Sequence, residues 1–385
     1  MKTAIVNAKI VTSTTVLGGY VCGIENGQIV YLGKEDFSFD EVIDAQGGYL
    51  IPGFVDIHCH GALGMAFMDG DVERFQRIAD YHLAHGTTTL LASTSTSTME
   101  EIESALRACE EYRAGNPKTT VVGVHMEGPW VNQAQCGAQA SQFMRQPSAE
   151  DLKELKAKYP CLLRAGAAPE LGGGLEFARV GKELGLTMSV AHTDADFSEI
   201  ERAKDNGYTI MTHLYSGMKG VTRKNSYRIA GAVEAGLYFD ELYAEVIADG
   251  KHLPLELLKF IYKCKGADKI CLVTDATRGC GLADGEQTIG VSGASATPII
   301  VEDGVAKLLD RQSFAGSTAT CDRLYRTMAQ AIGKDMVALS KMASLTPARA
   351  MGWTDVGEIA VGKKADLLII NENLEIEKII TEKEN

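Results

Sequence analysis

The chain opens and closes on short apolar runs broken by turn residues, and between these ends apolar runs alternate with amphipathic stretches. "TAIVNAKIVTS", "YVCGIENGQIVYLG" and "EVIDAQGGYLIP" are rich in Val, Ile and Tyr and are punctuated by Asn-Gly and Gly-Gly, which predicts short strands joined by tight turns. "VGEIAVGKKADLLIINENLEIEKII" has the same character, with Gly357 and Gly362 as breaks. Two β-rich ends around a long middle predict one small β-sandwich domain built from residues 1–50 and 350–385.

Residues 51–349 read differently. "GFVDIHC", "TTLLAS", "TVVGVHMEG", "LLRAGAAPE", "TMSVAHT", "YTIMTHLY", "YAEVIADG" and "KICLVTDA" are candidate strands. Between them "DVERFQRIADYHLAHG", "STMEEIESALRACEEYRAG", "FSEIERAKDNG" and "LPLELLKFIYKCKG" place apolar residues at helical spacing, with cap-like starts or closing glycines. Strands each followed by a crossover helix predict an α/β fold, a (β/α)8 TIM-like barrel. An open doubly wound sheet is the competing arrangement, but no GxGxxG phosphate loop follows the first strands.

Catalytic groups of a barrel sit at the C-terminal ends of its strands. The first candidate strand ends in His58-Cys59-His60, and alternation lets both histidines face the barrel axis while Cys59 points outward. The third ends in His125-Met126-Glu127, the fifth in His192, the sixth in His213, the seventh in Asp249-Gly250-Lys251-His252 and the eighth in Thr274-Asp275. One histidine at a strand end is unremarkable; here six of the chain's eight fall there. His82 and His85 lie in a helical segment and read as surface or packing residues. Imidazole and carboxylate ligands suit a divalent ion such as zinc, iron(II) or manganese. His58, His60, Glu127, His192, His213 and Asp275 are too many for one tetrahedral ion; they serve two ions, or one ion with some members in support. His125 shares a strand face with Glu127 and reads as a supporting or packing residue. Such an ion lowers the pKa of bound water and polarises a carbonyl. A carboxylate beside that water, for which Asp275 is the candidate, can take its proton and pass it to a poor leaving group such as an amine.

Composition narrows the setting. With 385 residues, 45% of them hydrophobic and 23% charged, the chain reads as a soluble globular protein with a large core. A net charge of −13 argues against nucleic acid as a partner. No run approaches the roughly 18 apolar residues of a membrane span. Nine cysteines at irregular spacing, with no CxxC, read as reduced thiols, and the N-terminal stretch reads as a strand, not a signal peptide, so a cytoplasmic location is expected.

The HxH, Glu, His, His, Asp order resembles the amidohydrolase superfamily. "IPGFVDIHCHG", "HGTTTLLAS", "GVHMEGPWVN", "MSVAHTDA", "MTHLYSGM", "VIADGKHL", "LVTDA", "FAGSTAT", "ASLTPARAMG" and "VGKKADLLII" together resemble the N-acetylglucosamine-6-phosphate deacetylase family over nearly the whole chain. That resemblance implies a barrel with a small β-sandwich, a homodimer, and hydrolysis of the N-acetyl group of an amino-sugar phosphate. It implies Glu127, His192 and His213 as principal metal ligands, Asp275 as general base and then acid, and His252 as a substrate-binding histidine. Because His58 and His60 are kept, it allows a second metal.

The departures gather where the sugar phosphate is expected. The family's Lys-Gly-x-His segment reads "QCGAQA", which puts Ala138 and Gln139 there, with Gln139 at the His position. "HLxNAM" reads "HLYSGM", giving Ser216 and Gly217. The family's phosphate-binding Arg, which reaches across the dimer, is replaced by Asn225, with Arg223 and Arg228 near enough to take over, and Arg278 is a further candidate anion contact. Ala315 and Gly316 are small enough to let backbone approach the substrate. A different N-acetyl amino sugar, an N-acyl amine as for a cyclic amidase, and a non-catalytic sugar-binding barrel are the competing readings.

Overall fold

The computed structural model describes residues 1–34, 38–115, 120–291 and 296–382. Its centre is a ring of eight parallel strands: β1 (Phe54–Cys59), β2 (Thr87–Ser93), β3 (Val121–Glu127), β4 (Leu162–Ala167), β5 (Thr187–Val190), β6 (Tyr208–Met211), β7 (Tyr243–Val246) and β8 (Ile270–Leu272). Neighbours in the ring are neighbours in the chain. Backbone bonds close the ring between β1 and β8. The Asp275 N–H donates to the His58 carbonyl and the His60 N–H to the Ala276 carbonyl, both at 2.8 Å. The barrel predicted from the periodicity is therefore the one formed.

A helix follows each strand: α1 (Val72–Ala84), α2 (Met99–Gly115), α3 (Ala149–Lys158), α4 (Gly174–Glu183), α5 (Phe197–Asp205), α6 (Ala232–Tyr238), α7 (Leu255–Lys265) and α8 (Cys321–Ile332). α1 shows why. Asp71 caps it by accepting from the Arg74 N–H at 2.9 Å, and Phe75, Ile78, Ala79, His82 and Leu83 form one buried face. α5 begins with a reciprocal Asp196–Glu199 capping box. Among the described residues three stranded insertions interrupt the pattern, the first a short hairpin, Gly61–Ala62 with Met65–Ala66, after β1. A hairpin, Thr222–Lys224 with Tyr227–Ile229, follows β6, and a three-stranded antiparallel sheet, Gly285–Ile289, Thr297–Glu302 and Val305–Leu308, lies between β8 and α8.

Alternation sorts the strand residues between two environments. Val124, Met126, Ala165, Ala167, Met188 and Val190 pack with the helices. Val55, Ile57, Leu91, Ile210, Ile247 and Cys271 pack instead in a lumen cluster completed by Ala348, Ala350, Met351 and Val356. In β1 the pairing register to β2 shifts between Asp56 and Cys59, a bulge. It puts Cys59 among the helices, against His82, and frees His58 and His60 to reach the mouth.

Strands from both ends of the chain form one seven-stranded sheet: Lys2–Val11, Val16–Glu25, Gln28–Gly33, Glu41–Asp44, Tyr49–Pro52, Leu367–Ile370 and Ile376–Ile380. Leu50, Leu367 and Ile369 join this sheet's own apolar cluster with Ile5, Ile10 and Ile29. Their neighbours Ile51, Leu368 and Ile370 join the barrel's helix-facing cluster. The strand Leu367–Ile370 is thus buried on both faces and welds the two cores together. No helix among the described residues is long and apolar enough to cross a membrane.

Leu368→Ala is expected to cost about 2–5 kcal/mol by leaving a cavity at this weld. Val361→Ala, at a side chain 60% exposed, should stay within about 0.5 kcal/mol. Urea unfolding midpoints check the pair; equal midpoints would show that the terminal sheet contributes nothing to the barrel's stability.

Candidate metal centre and substrate cavity

All six residues expected to ligate a metal meet at the C-terminal mouth of the barrel. His58 lies in β1 and His60 just past it, Glu127 ends β3, and His192, His213 and Asp275 follow β5, β6 and β8 within three residues. Those last three share a backbone peculiarity: their φ values are 44°, 31° and 45°, in the left-handed region that non-glycine residues avoid. Each such conformation costs on the order of 1–3 kcal/mol and persists only where surrounding structure holds it.

Glu127 is the hub. Its Oε1 lies 2.7 Å from His213 Nε2 and 3.2 Å from His192 Nε2. Its Oε2 lies 3.3 Å from His60 Nε2 and 3.7 Å from His58 Nε2. Asp275 Oδ1 faces the same pair, 3.2 Å from His60 Nε2 and 3.7 Å from His58 Nε2. The other ring nitrogens are tied down. His192 Nδ1 donates to the Gln135 carbonyl at 2.8 Å, His213 Nδ1 to the Ser216 carbonyl at 3.0 Å, and His58 Nδ1 to Glu245 Oε2 at 3.0 Å. These acceptors assign the proton to Nδ1, so three Nε2 lone pairs point at carboxylate oxygens.

Lone pairs facing carboxylates repel unless positive charge lies between them. Two groups of ligand atoms, His58–His60–Glu127 and Glu127–His192–His213, each lie within 4.8 Å of one another and fit a divalent cation. In the absence of a cation, protons take that part. Burial alone would lower the His60 imidazole, but Asp275 and Glu127 outweigh it and raise it to about 9. Burial likewise opposes charge on His58 and His192, yet the carboxylates raise both. Burial would raise Glu127 and Asp275, but the facing histidines hold both below the ordinary carboxylate range.

A cavity of about 340 Å³ opens over this cluster. His60, Glu127, His192, His213 and Asp275 form its floor, whereas His58 is fully buried beneath. His252 lines the wall, its Nδ1 held by Asp249 Oδ2 at 2.8 Å and its ring packed at a tilt against Phe314, centres 4.5 Å apart. Ala138, Gln139, Ser216 and Gly217 line it too, as do Ala315 and Gly316. Two of these serve the floor as well as the cavity. Gln139 donates to Glu127 Oε2 at 2.8 Å and accepts from the Thr96 N–H at 2.7 Å. Gly217 has φ +57°, and a Cβ there would stand 2.6 Å from His192 Nδ1, so only glycine leaves that ring in place.

Other expected contacts lie elsewhere. Arg223, Asn225 and Arg228 sit on the exposed hairpin after β6 and do not line this chain's cavity. Arg278 does line it but is not a free anion contact. Its guanidinium is committed to Asp69 Oδ1 at 3.1 Å and to the Gly64 and Gly290 carbonyls at 3.4 and 2.6 Å. His125 packs edge-on against His58, ring centres 4.9 Å apart, with neither ring nitrogen hydrogen-bonded. His82 is buried in packing beside Cys59.

Two residues that the sequence reading passed over stand below the floor. Glu245 and Arg164 are fully buried and form an ion pair in the lumen. Burial would raise the Glu245 carboxyl, but Arg164 and His58 hold it at about 2. A charged residue within each of the apolar strands "LLRAGAAPE" and "YAEVIADG" was the available signal.

The chain matches the amidohydrolase family over residues 49–384. It is similar to an N-acetylglucosamine-6-phosphate deacetylase of Lysinibacillus sphaericus, 32% identical over 88% of this chain and 85% of the relative. It is similar to a deacetylase of the same name from Bacillus subtilis (strain 168), 31% identical over 95% of this chain and 92% of the relative. The crystal structure of the Pasteurella multocida N-acetylglucosamine-6-phosphate deacetylase superposes with a TM-score of 0.91 at 26% identity, covering 99% of this chain and 98% of that one.

Cation removal should make stability depend on pH in a defined window. His60 has a folded value of about 9 against an ordinary 6.5. Its stabilising contribution is therefore complete below about 6.5 and lost as pH rises through about 9. The Tm of chelator-treated protein should fall across that interval, while cation-loaded protein changes less; parallel Tm profiles would show that no cation replaces the proton.

Proposed function

The chain belongs to the amidohydrolase family, and from that premise we propose that it hydrolyses the N-acetyl group of N-acetylglucosamine 6-phosphate, giving glucosamine 6-phosphate and acetate. The convergence of His58, His60, Glu127, His192, His213 and Asp275 beneath one cavity carries this reading. A cyclic amidase and a non-catalytic sugar binder share the barrel, but the relatives and the intact donor set favour the deacetylase.

Glu127, His192 and His213 would hold one divalent cation, and His58 and His60, with Glu127 and Asp275, a second. Nitrogen and oxygen donors of this kind suit zinc, iron(II) or manganese. Bound there, the cation would supply Lewis acidity, making water more acidic and the acetyl carbonyl more electrophilic. Asp275 does the proton work. Its carboxylate, held ionised by His58 and His60, takes the proton from the attacking water. As the C–N bond breaks, it returns that proton to the amine nitrogen, so the amine leaves neutral. His252, oriented by Asp249, presents Nε2 to the substrate beside the scissile group. Ala315 and Gly316 leave room for the acetyl group against the backbone; a Cβ at Gly316 would stand 2.8 Å from the Asp275 carbonyl.

The phosphate would be met by a second copy of the chain. Arg223 and Arg228 face each other across the exposed hairpin, an arrangement that like charges disfavour unless an anion lies between them. Tyr227, 79% exposed, and Val221, 55% exposed, lie beside them as apolar surface for a homodimer.

Acetate release measured across N-acetyl amino sugars with and without a 6-phosphate tests the substrate; equal rates on both forms would remove phosphate recognition. Asp275→Asn should keep its metal and lose about 10²–10⁴ in kcat, and normal turnover would take Asp275 out of the mechanism. His192→Ala and His213→Ala should lose metal by elemental analysis. Arg223→Ala with Arg228→Ala should raise KM for the phosphorylated sugar with little change in kcat; an unaltered KM would place the phosphate elsewhere.

A further inference from the structure

We propose that Glu245, braced by Arg164, is the positioning residue of the His58–His60 cation subsite and the group on which its occupancy depends. The inference rests on the two-cation reading of the mouth and names residues that touch neither cation nor substrate.

The hydrogen-bond pattern carries it. Glu245 splits its two oxygens between two tasks. Oε1 takes Arg164 Nη1, and Oε2 accepts at 3.0 Å both from His58 Nδ1 and from the His213 backbone N–H. The first contact fixes the His58 ring and keeps its proton on Nδ1, so that Nε2 presents a lone pair to the subsite. The second anchors the chain at a residue with φ 31°. Arg164 is braced in turn. Its Nε donates to Ser189 Oγ at 3.2 Å, and its other nitrogens reach the Ile57 carbonyl at 3.2 Å and Thr212 Oγ1 at 3.1 Å. The pair therefore links β1, β4, β5, β7 and the turn that follows β6.

Stability alone does not explain such a pair. Desolvating two charges offsets most of their attraction, and well-packed apolar residues of similar volume often serve as well or better. The lumen already holds an apolar cluster that could extend into this space. What apolar residues cannot do is orient His58. Of its ring neighbours, His125 and His213 offer ring contact and His60 meets Nε2, so none of them holds Nδ1. Without Glu245 the His58 imidazole is free to flip or to carry its proton on Nε2, and either closes the subsite to a cation. Loss of such a supporting carboxylate typically weakens metal affinity about 10- to 100-fold.

The test uses the full chain and two variants, because Glu245→Gln leaves Arg164 buried without a counter-charge and can fail to fold. The second is the double variant Arg164→Met with Glu245→Leu, which removes both charges at similar volume. Cobalt(II) titration read by visible absorption, with elemental analysis after gel filtration, counts cations per chain, and Tm reports folding. The wild type should take up two cations. Whichever variant folds should bind the His58–His60 cation about 10- to 100-fold more weakly and lose less affinity for the other, whose ligand His213 is anchored to Glu245 only through its backbone N–H. A folded double variant that binds both as the wild type does overturns the proposal. So does a wild type holding one cation whose affinity His58→Asn leaves unchanged. A wild type that holds no cation and releases no acetate would instead defeat the proposed activity itself.

Discussion

The mouth of this barrel is organised by unsatisfied negative charge. Glu127 is 2% exposed, and the imidazole nitrogens around it carry lone pairs turned toward its oxygens because their other nitrogens are already hydrogen-bonded. Asp275 adds a second carboxylate to the same space. Nothing in the cluster can compensate this charge except protons on the imidazoles or a cation held by them. The arrangement of the side chains beneath the cavity depends on that requirement. The strands bring the ligands to one end, the helices seal the barrel's outside, and the insertion between β8 and α8 walls the cavity in which a carbonyl can meet activated water.

Charge compensation also organises the space underneath. A lumen of this kind is ordinarily packed with branched apolar residues. Here an apolar cluster that includes Val55, Leu91, Ile210 and Cys271 is joined by the buried Arg164–Glu245 pair, with Ser189 and Thr212 bonded to it. Glu245 reaches both sides of the histidine–carboxylate cluster, through the His58 side chain in one case and the His213 backbone N–H in the other. The two sides are thus joined through Glu245 as well as through the shared carboxylate of Glu127.

Much of this was legible in the sequence, for a physical reason. The barrel repeats one rule, an apolar strand followed by an amphipathic helix, and α1 and α5 announce themselves by Asp71 and Asp196 at their caps. The ligands follow from the same rule, since a histidine or carboxylate just past an apolar run must emerge at the mouth. Contacts that arise from chain reversals were not legible. Gln139 lines the cavity, as its position suggests, but only the folded chain shows that its amide also donates to Glu127. Arg278 lines the cavity, yet Asp69 and two backbone carbonyls occupy both of its terminal guanidinium nitrogens. Glu245 and Arg164 were visible as charges within apolar strands, but only the closed ring shows that they point at each other.

The left-handed backbone at His192, His213 and Asp275 has a mechanical consequence. Asparagine or glycine would relax these positions, so the backbone by itself favours residues other than the ones present. Three loops are sprung against their own conformational preference, and loosening any of them would part the side chains that meet around Glu127 and His60.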